Sequence, residues 1–142
     1  MHSFVSTEVK VRFADCDMMG HVNNAHFLTY MEQGRVEYFK KFPELNFLEL
    51  KRELECSLIL AEISCTFKSP AYLNEILVVS LGTTELKRSS IVMEYEMKEK
   101  TTGRLVAIGR SVGVYYDYQQ KKSVSLPESI RKRFEEIEGR KF

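Results

Sequence analysis

The chain has almost no net charge: its 21 basic and 20 acidic side chains leave a formal balance of +1. Binding through a nucleic-acid backbone needs a concentrated positive field, so that class of function is set aside. Long apolar runs are lacking too. No stretch approaches the ~20 residues of a membrane span. The opening MHSFVSTEVK lacks the basic segment and apolar core of a secretory signal. Cysteine is scarce: Cys16, Cys56 and Cys65 are odd in number and without metal-ligand spacing. They read as three reduced thiols in a cytoplasmic protein. No internal repeat, linker or low-complexity tract divides the chain, so 1–142 is expected to form one domain. A chain of this length buries roughly 68–70% of its unfolded surface, and needs neither disulfide nor metal to hold a core.

What is present is a change of hydrophobic period. In TEVKVRFAD, Val9, Val11 and Phe13 alternate with charged residues, the period of a half-buried strand. From Asn24 to Phe42 the period becomes helical. Phe27, Met31, Gly34 and Tyr38 share one stripe, widened by Leu28, Val36 and Phe39. Asn23 or Asn24 can cap the start, and Pro43 stops the end. Gly34 costs about 1 kcal/mol inside a helix, which a close approach of strands would offset. Residues 44–57 are mixed and unassigned.

The strand signal then dominates. Ile59, Ala61, Ile63, Cys65 and Phe67 fall on one face of LILAEISCTF, and Pro70 and Asn74 break that run. EILVVSLGTTEL, SIVMEYEMKEK and RLVAIGRSVGVYYD follow across short turns, and LPESIRKRFEEIEG reads as a terminal helix. A strand, a long helix, four antiparallel strands and a short helix make an α+β domain.

One stretch stands apart. FADCDMMGHVNNAHF packs two aspartates, a cysteine, a glycine, two histidines and two asparagines just ahead of the long helix. With the helix it resembles the signature of the 4-hydroxybenzoyl-CoA thioesterase family, the hot-dog-fold acyl-CoA thioesterases. The pattern is Asp15-x-Asp17, Gly20, the turn HVNN, and a helix carrying Glu32 and Arg35. CTFKSPAYLNEILVV, RSSIVMEYEM, GRLVAIGRSVGVYYD and KSVSLPESIR are similar to successive strands and the tail of that family. The resemblance implies a long helix wrapped by an antiparallel sheet of about five strands. It also implies a homodimer or homotetramer with an acyl site at the subunit interface, and hydrolysis of an acyl-CoA or acyl-carrier-protein thioester. No metal or redox cofactor is implied; coenzyme A belongs to the substrate.

On that resemblance Asp17 is the catalytic carboxylate, as nucleophile forming a mixed anhydride or as general base on water. The chemistry agrees in part. A thiol leaves with little acid help, its pKa being near 8.5. One carboxylate with hydrogen-bond donors for the carbonyl oxygen is therefore enough, and a helix N-terminus supplies such donors. The competing reading of Asp17 is a cap or turn residue. The resemblance assigns the carbonyl-polarising N–H to Asn24. His21 and Asn23 are candidates for orienting the turn or lining the pocket. Many members of that family carry a Tyr where Phe27 stands, so either the role of that hydroxyl is dispensable here or another group, such as His26 or Tyr30, covers it. Phe27, Met31 and Phe67 favour an apolar acyl chain.

Asp15 reads as a structural acceptor for backbone N–H groups. Cys16, between two aspartates, reads as a buried strand-end residue. Glu32 and Arg35 are spaced to pair on the helix, with Glu32 as the alternative catalytic acid. The resemblance places the turn LKRSS near the nucleotide end of the coenzyme, where Lys87, Arg88 and Ser89 would suit its phosphates; the competing reading is a solvated turn, and Arg131, Lys132 and Arg133 form a weaker set. Two rivals stand beside the thioesterase: a non-catalytic acyl-CoA-binding module, and a hot-dog dehydratase or hydratase. The latter needs a catalytic His paired with an acid, Asp-x-x-x-x-His in one branch, and Asp17 and His21 are separated by three residues, not four.

Overall fold

The computed structural model describes residues 5–43 and 56–142. Its elements are β1 (Val5–Lys10), a 3-10 turn (Phe13–Asp15), α1 (Asn24–Phe39), β2 (Cys56–Phe67), β3 (Ile76–Leu86), β4 (Ser90–Glu99), β5 (Leu105–Asp117), β6 (Lys122–Ser123) and α2 (Glu128–Glu138). Five strands follow the order β1-β3-β4-β5-β2, and β6 adds a short pair to β5. The pairings of the sheet are antiparallel. β3, β4 and β5 form a meander because tight turns join them, whereas β2 crosses over to pair with β5 at one edge.

α1 lies across the sheet with Phe27, Tyr30, Met31, Gly34 and Tyr38 buried. The cost of Gly34 has its expected compensation. A Cβ there would stand 3.2 Å from both Leu81 Cδ2 and Val79 Cγ1, a tight contact that would make those side chains give way, so the bare glycine eases the approach of the helix to β3. Gly109 of β5 leaves room for the Met31 side chain, whose Cε would lie 2.6 Å from a Cβ at that position.

The fold corrects several expectations. Phe13 does not continue the strand face: the chain turns out of β1 after Lys10 and leaves Phe13 83% exposed. Leu28 and Val36 do not widen the buried stripe, because the sheet covers only one flank of α1 and both remain exposed. The helix ends at Phe39 rather than Phe42. Phe42 instead turns into an aromatic cluster, 5.9 Å from the Tyr38 ring and 4.6 Å from that of Phe134. In β2 the expected face is broken by a register shift between Leu60 and Glu62. A bulge resets the alternation, and Ala61 and Phe67 stay exposed. Residues 44–55 of the unassigned segment lie outside the described residues; Cys56 and Ser57 open β2.

α2 begins after Pro127 and stops at Gly139, whose φ of 68° is the left-handed cap that glycine favours. The buried Glu138 at its end accepts from the Tyr38 hydroxyl at 2.6 Å and the Thr83 N–H at 3.1 Å, tying α2 to α1 and β3. Among the described residues no helix is long and apolar enough to cross a membrane.

Candidate active site

The loop from β1 to α1 is built around its two aspartates. Asp15 is 1% exposed and surrounded by donors. One oxygen accepts from the Arg12 guanidinium at 2.8 Å; the other accepts from the Arg12 N–H at 3.1 Å and the Tyr30 hydroxyl at 2.8 Å. His26 Nδ1 stands 3.4 Å away. The Arg12 side-chain hydrogen bond, more than the opposing desolvation, brings the Asp15 carboxyl down to about 2. Asp15 is a structural anchor, as its sequence context suggested. Burial, and then the bond to Asp15, push the Tyr30 phenol well above its ordinary range. With that hydroxyl committed to Asp15, Tyr30 does not fill the role of the tyrosine that Phe27 replaces.

Asp17 sits in a tight turn, its own N–H donating to the His21 carbonyl at 3.1 Å. Gly20 takes φ 84° inside this turn, where a side chain would be strained. One Asp17 oxygen accepts from the Met19 N–H at 2.8 Å, and the other from the Asn23 side-chain amide at 3.1 Å. The turn role weighed against catalysis is therefore present in the structure.

Asn23, not Asn24, is the helix cap, and it has two jobs. Its amide nitrogen reaches Asp17, while its amide oxygen accepts from the Ala25 N–H at 2.9 Å. One side chain thus links the half-exposed carboxylate to the first turn of α1. The Asn24 N–H begins the helix, where no intrahelical acceptor exists.

Asn24 also lines a groove of about 260 Å³ with His21, Phe27, Phe67, Lys68 and Ser69. Its floor is aromatic, the Phe27 and Phe67 rings being 5.3 Å apart. His21 Nδ1 is 3.0 Å from its neighbour's carbonyl, that of Val22. Asp17 itself is not among the groove-lining residues; it stands beside the groove, joined to it through Asn23 and Asn24. Sequence reading did not find Lys68 and Ser69. A long-range bond from the Val22 N–H to the Ala71 carbonyl, 2.9 Å, together with the Phe27–Phe67 ring contact, brings their loop to the helix start.

Other candidates lie elsewhere. Glu32 and Arg35 do not pair: Glu32 is exposed, and Arg35 turns inward to donate to the Tyr95 hydroxyl at 3.2 Å. Cys16 is not the buried strand-end residue expected: β1 ends at Lys10, and Cys16 is half-buried in the loop, its backbone paired with that of Val22. Lys87, Arg88 and Ser89 occupy the β3–β4 turn, at the far end of β3 from the aspartate loop, which pairs near Glu75. The eleven residues of β3 put roughly 33 Å between those ends. Within one chain, then, these residues do not share a site with Asp17. Arg131 does join them, donating to the Lys87 carbonyl at 2.6 Å, and Arg88 donates to the Ser125 hydroxyl at 3.1 Å. Among the described residues no cluster of three or more His, Cys, Asp or Glu is placed to hold a metal ion.

A long helix laid across a curled antiparallel sheet, with a polar turn at the helix start, is the hot-dog arrangement of thioester hydrolases. The chain belongs to the thioesterase-like superfamily, whose sequence pattern matches residues 11–134. Among solved structures it is similar to a thioesterase from Thermus thermophilus complexed with coenzyme A and zinc, with 35% identity, a TM-score of 0.83 and 97% of each chain covered. A 1,4-dihydroxy-2-naphthoyl-CoA thioesterase from Synechocystis shares the fold at 22% identity and a TM-score of 0.81, over 92% of this chain and 94% of that one. Among curated proteins, the acyl-CoA thioesterase YbgC of Haemophilus influenzae is 25% identical over 134 residues, 93% of this chain and 95% of its own. The long-chain acyl-CoA thioesterase FadM of Escherichia coli is 22% identical over 133 residues, 94% of this chain and 98% of its own.

Proposed function

We propose that this chain hydrolyses an acyl-CoA thioester, with Asp17 as nucleophile or general base and the Asn24 N–H polarising the thioester carbonyl. One observation carries the reading: Asn23 bonds Asp17 through its nitrogen and Ala25 through its oxygen. A carboxylate and the opening amides of a helix are thereby held in a fixed relation. The amides and the positive end of the helix dipole suit a developing oxyanion. The nearby groove, with its Phe27–Phe67 floor, suits an apolar acyl group.

Assembly is part of the proposal. The Lys87, Arg88 and Ser89 turn reaches the coenzyme only if a second copy supplies it, in a homodimer or homotetramer. β2 is an edge strand with much of its length exposed, open to pairing with another copy. The protein would work in the cytoplasm, with the carrier-protein thioester as the other substrate form.

Release of free thiol from a panel of acyl-CoA and acyl-carrier-protein thioesters tests this. The expected result is turnover by the wild type and its collapse in Asp17→Asn. Turnover that survives this change moves the catalytic role to Glu32. Tight binding with no hydrolysis makes the protein an acyl-CoA-binding module instead.

A further inference from the structure

A second cavity, about 280 Å³, lies between the latter half of α1 and the sheet, against Leu58, Leu60, Ile91 and Met93. Its walls are apolar except at Glu32, Arg35 and Ser111. Ser111 is 2% exposed, and its hydroxyl stands 2.7 Å from the Tyr95 phenol that also accepts from Arg35. Arg35 is half-buried, yet among the described residues no carboxylate stands within ion-pair distance of it. Glu32, one turn back, is exposed and unpaired with it. A guanidinium on an apolar wall, with the Tyr95 hydroxyl as its hydrogen-bond partner among the described residues, has hydrogen-bonding capacity and charge left to satisfy. α1 carries both features: its first turn opens at the groove beside Asp17, and Arg35 lies eleven residues on, roughly 16 Å along the axis.

We propose that Arg35 is a specificity-determining residue that receives an acidic group at the far end of the acyl chain. The carboxylate would dock on the guanidinium while the methylene stem lies on the apolar walls of the cavity and along the flank shared by α1 and β2. The preferred substrates are then acyl-CoA thioesters bearing a terminal carboxylate rather than plain fatty acyl groups. This rests on the thioesterase reading for its substrate class, but its test is one of binding and does not depend on turnover.

The probes are non-hydrolysable alkyl-CoA thioethers in matched pairs, with and without a terminal carboxylate, over a series of chain lengths. Calorimetry on the wild-type protein should show the carboxylate-ended member of at least one pair binding about tenfold tighter or more, the scale of a charge-assisted hydrogen bond in a partly dry site. Arg35→Met should abolish that ratio, and Arg35→Lys should keep part of it, so a folded conservative variant guards against misfolding as the cause. Equal affinities throughout the series, tighter binding of the plain thioethers, no binding of either, or a ratio unmoved by Arg35→Met overturns the inference. Hydrolysis of plain acyl-CoA by the same protein would at the same time leave the thioesterase reading standing.

Discussion

Asp15 and Asp17 are two residues apart in one loop and have opposite surroundings. Asp15 is buried among Arg12, Tyr30 and His26, and its carboxyl is held near 2. Asp17 is half-exposed, with two local donors, and stands where the helix begins. The first has its lone pairs taken by the fold, which makes it a poor base and a good anchor. The second keeps access to solvent and is linked through Asn23 to the opening turn of α1. A carboxylate's role is decided by what already binds it, not by its residue type.

The largest expected effect separates the two directly. Asp17→Asn should lower the rate of thioester hydrolysis by ~10²–10⁴, the range for losing a positioned base, with the melting temperature little changed. Asp15→Asn should do the reverse, costing about 2 kcal/mol of stability through the weakened bonds of Arg12 and Tyr30. Rates and thermal melts on both variants check the comparison, and equal losses of activity at equal stability would break it.

Acid should reveal the anchor next. The Asp15 carboxyl falls from an ordinary 3.8 to about 2 on folding. Between those values the unfolded chain binds the extra proton, so stability rises with pH there. Asp15 therefore contributes about 2 kcal/mol above pH ~4 that disappears as pH falls toward 2. Denaturant melts across this window should show a shallower slope in Asp15→Asn than in the wild type, the remainder coming from other carboxyls such as Glu99, whose pKa the Thr101 and Thr102 N–H groups also lower.

Asn23→Ser sharpens the other half. Serine caps a helix about as well as asparagine, so the capping contribution to stability should move by less than about 0.5 kcal/mol. It cannot hold Asp17 across the turn as the amide does, and the rate should fall about tenfold for one lost charge-assisted bond. The smallest change is Tyr30→Phe. It removes one donor from Asp15 while leaving the Arg12 bonds, at about 1 kcal/mol of stability, read by the same melts.

Much of this was legible in the sequence because it is local. The switch from period two to period 3.6 marks β1 and α1, and long β-rich runs mark four strands of ten or more residues. Asp17, Asn23 and Asn24 could be singled out because a polar turn before a helix is a sequence-local event. The groove-lining Lys68 and Ser69 could not, since they arrive from the loop after β2. The inward turn of Arg35 was equally hidden: spacing offered it Glu32, while the fold offered Tyr95 from β4.

The type of the elements, the glycine that admits a close helix, and the polar loop that holds Asp15 and Asp17 were all determined by residues near each other along the chain. Which flank of α1 is buried, where β2 bulges, which aspartate is enclosed, and how far the Lys87 turn lies from Asp17 were decided only in three dimensions. Burial and charge compensation depend on partners dozens of residues away, and a local period carries no information about which of them arrive.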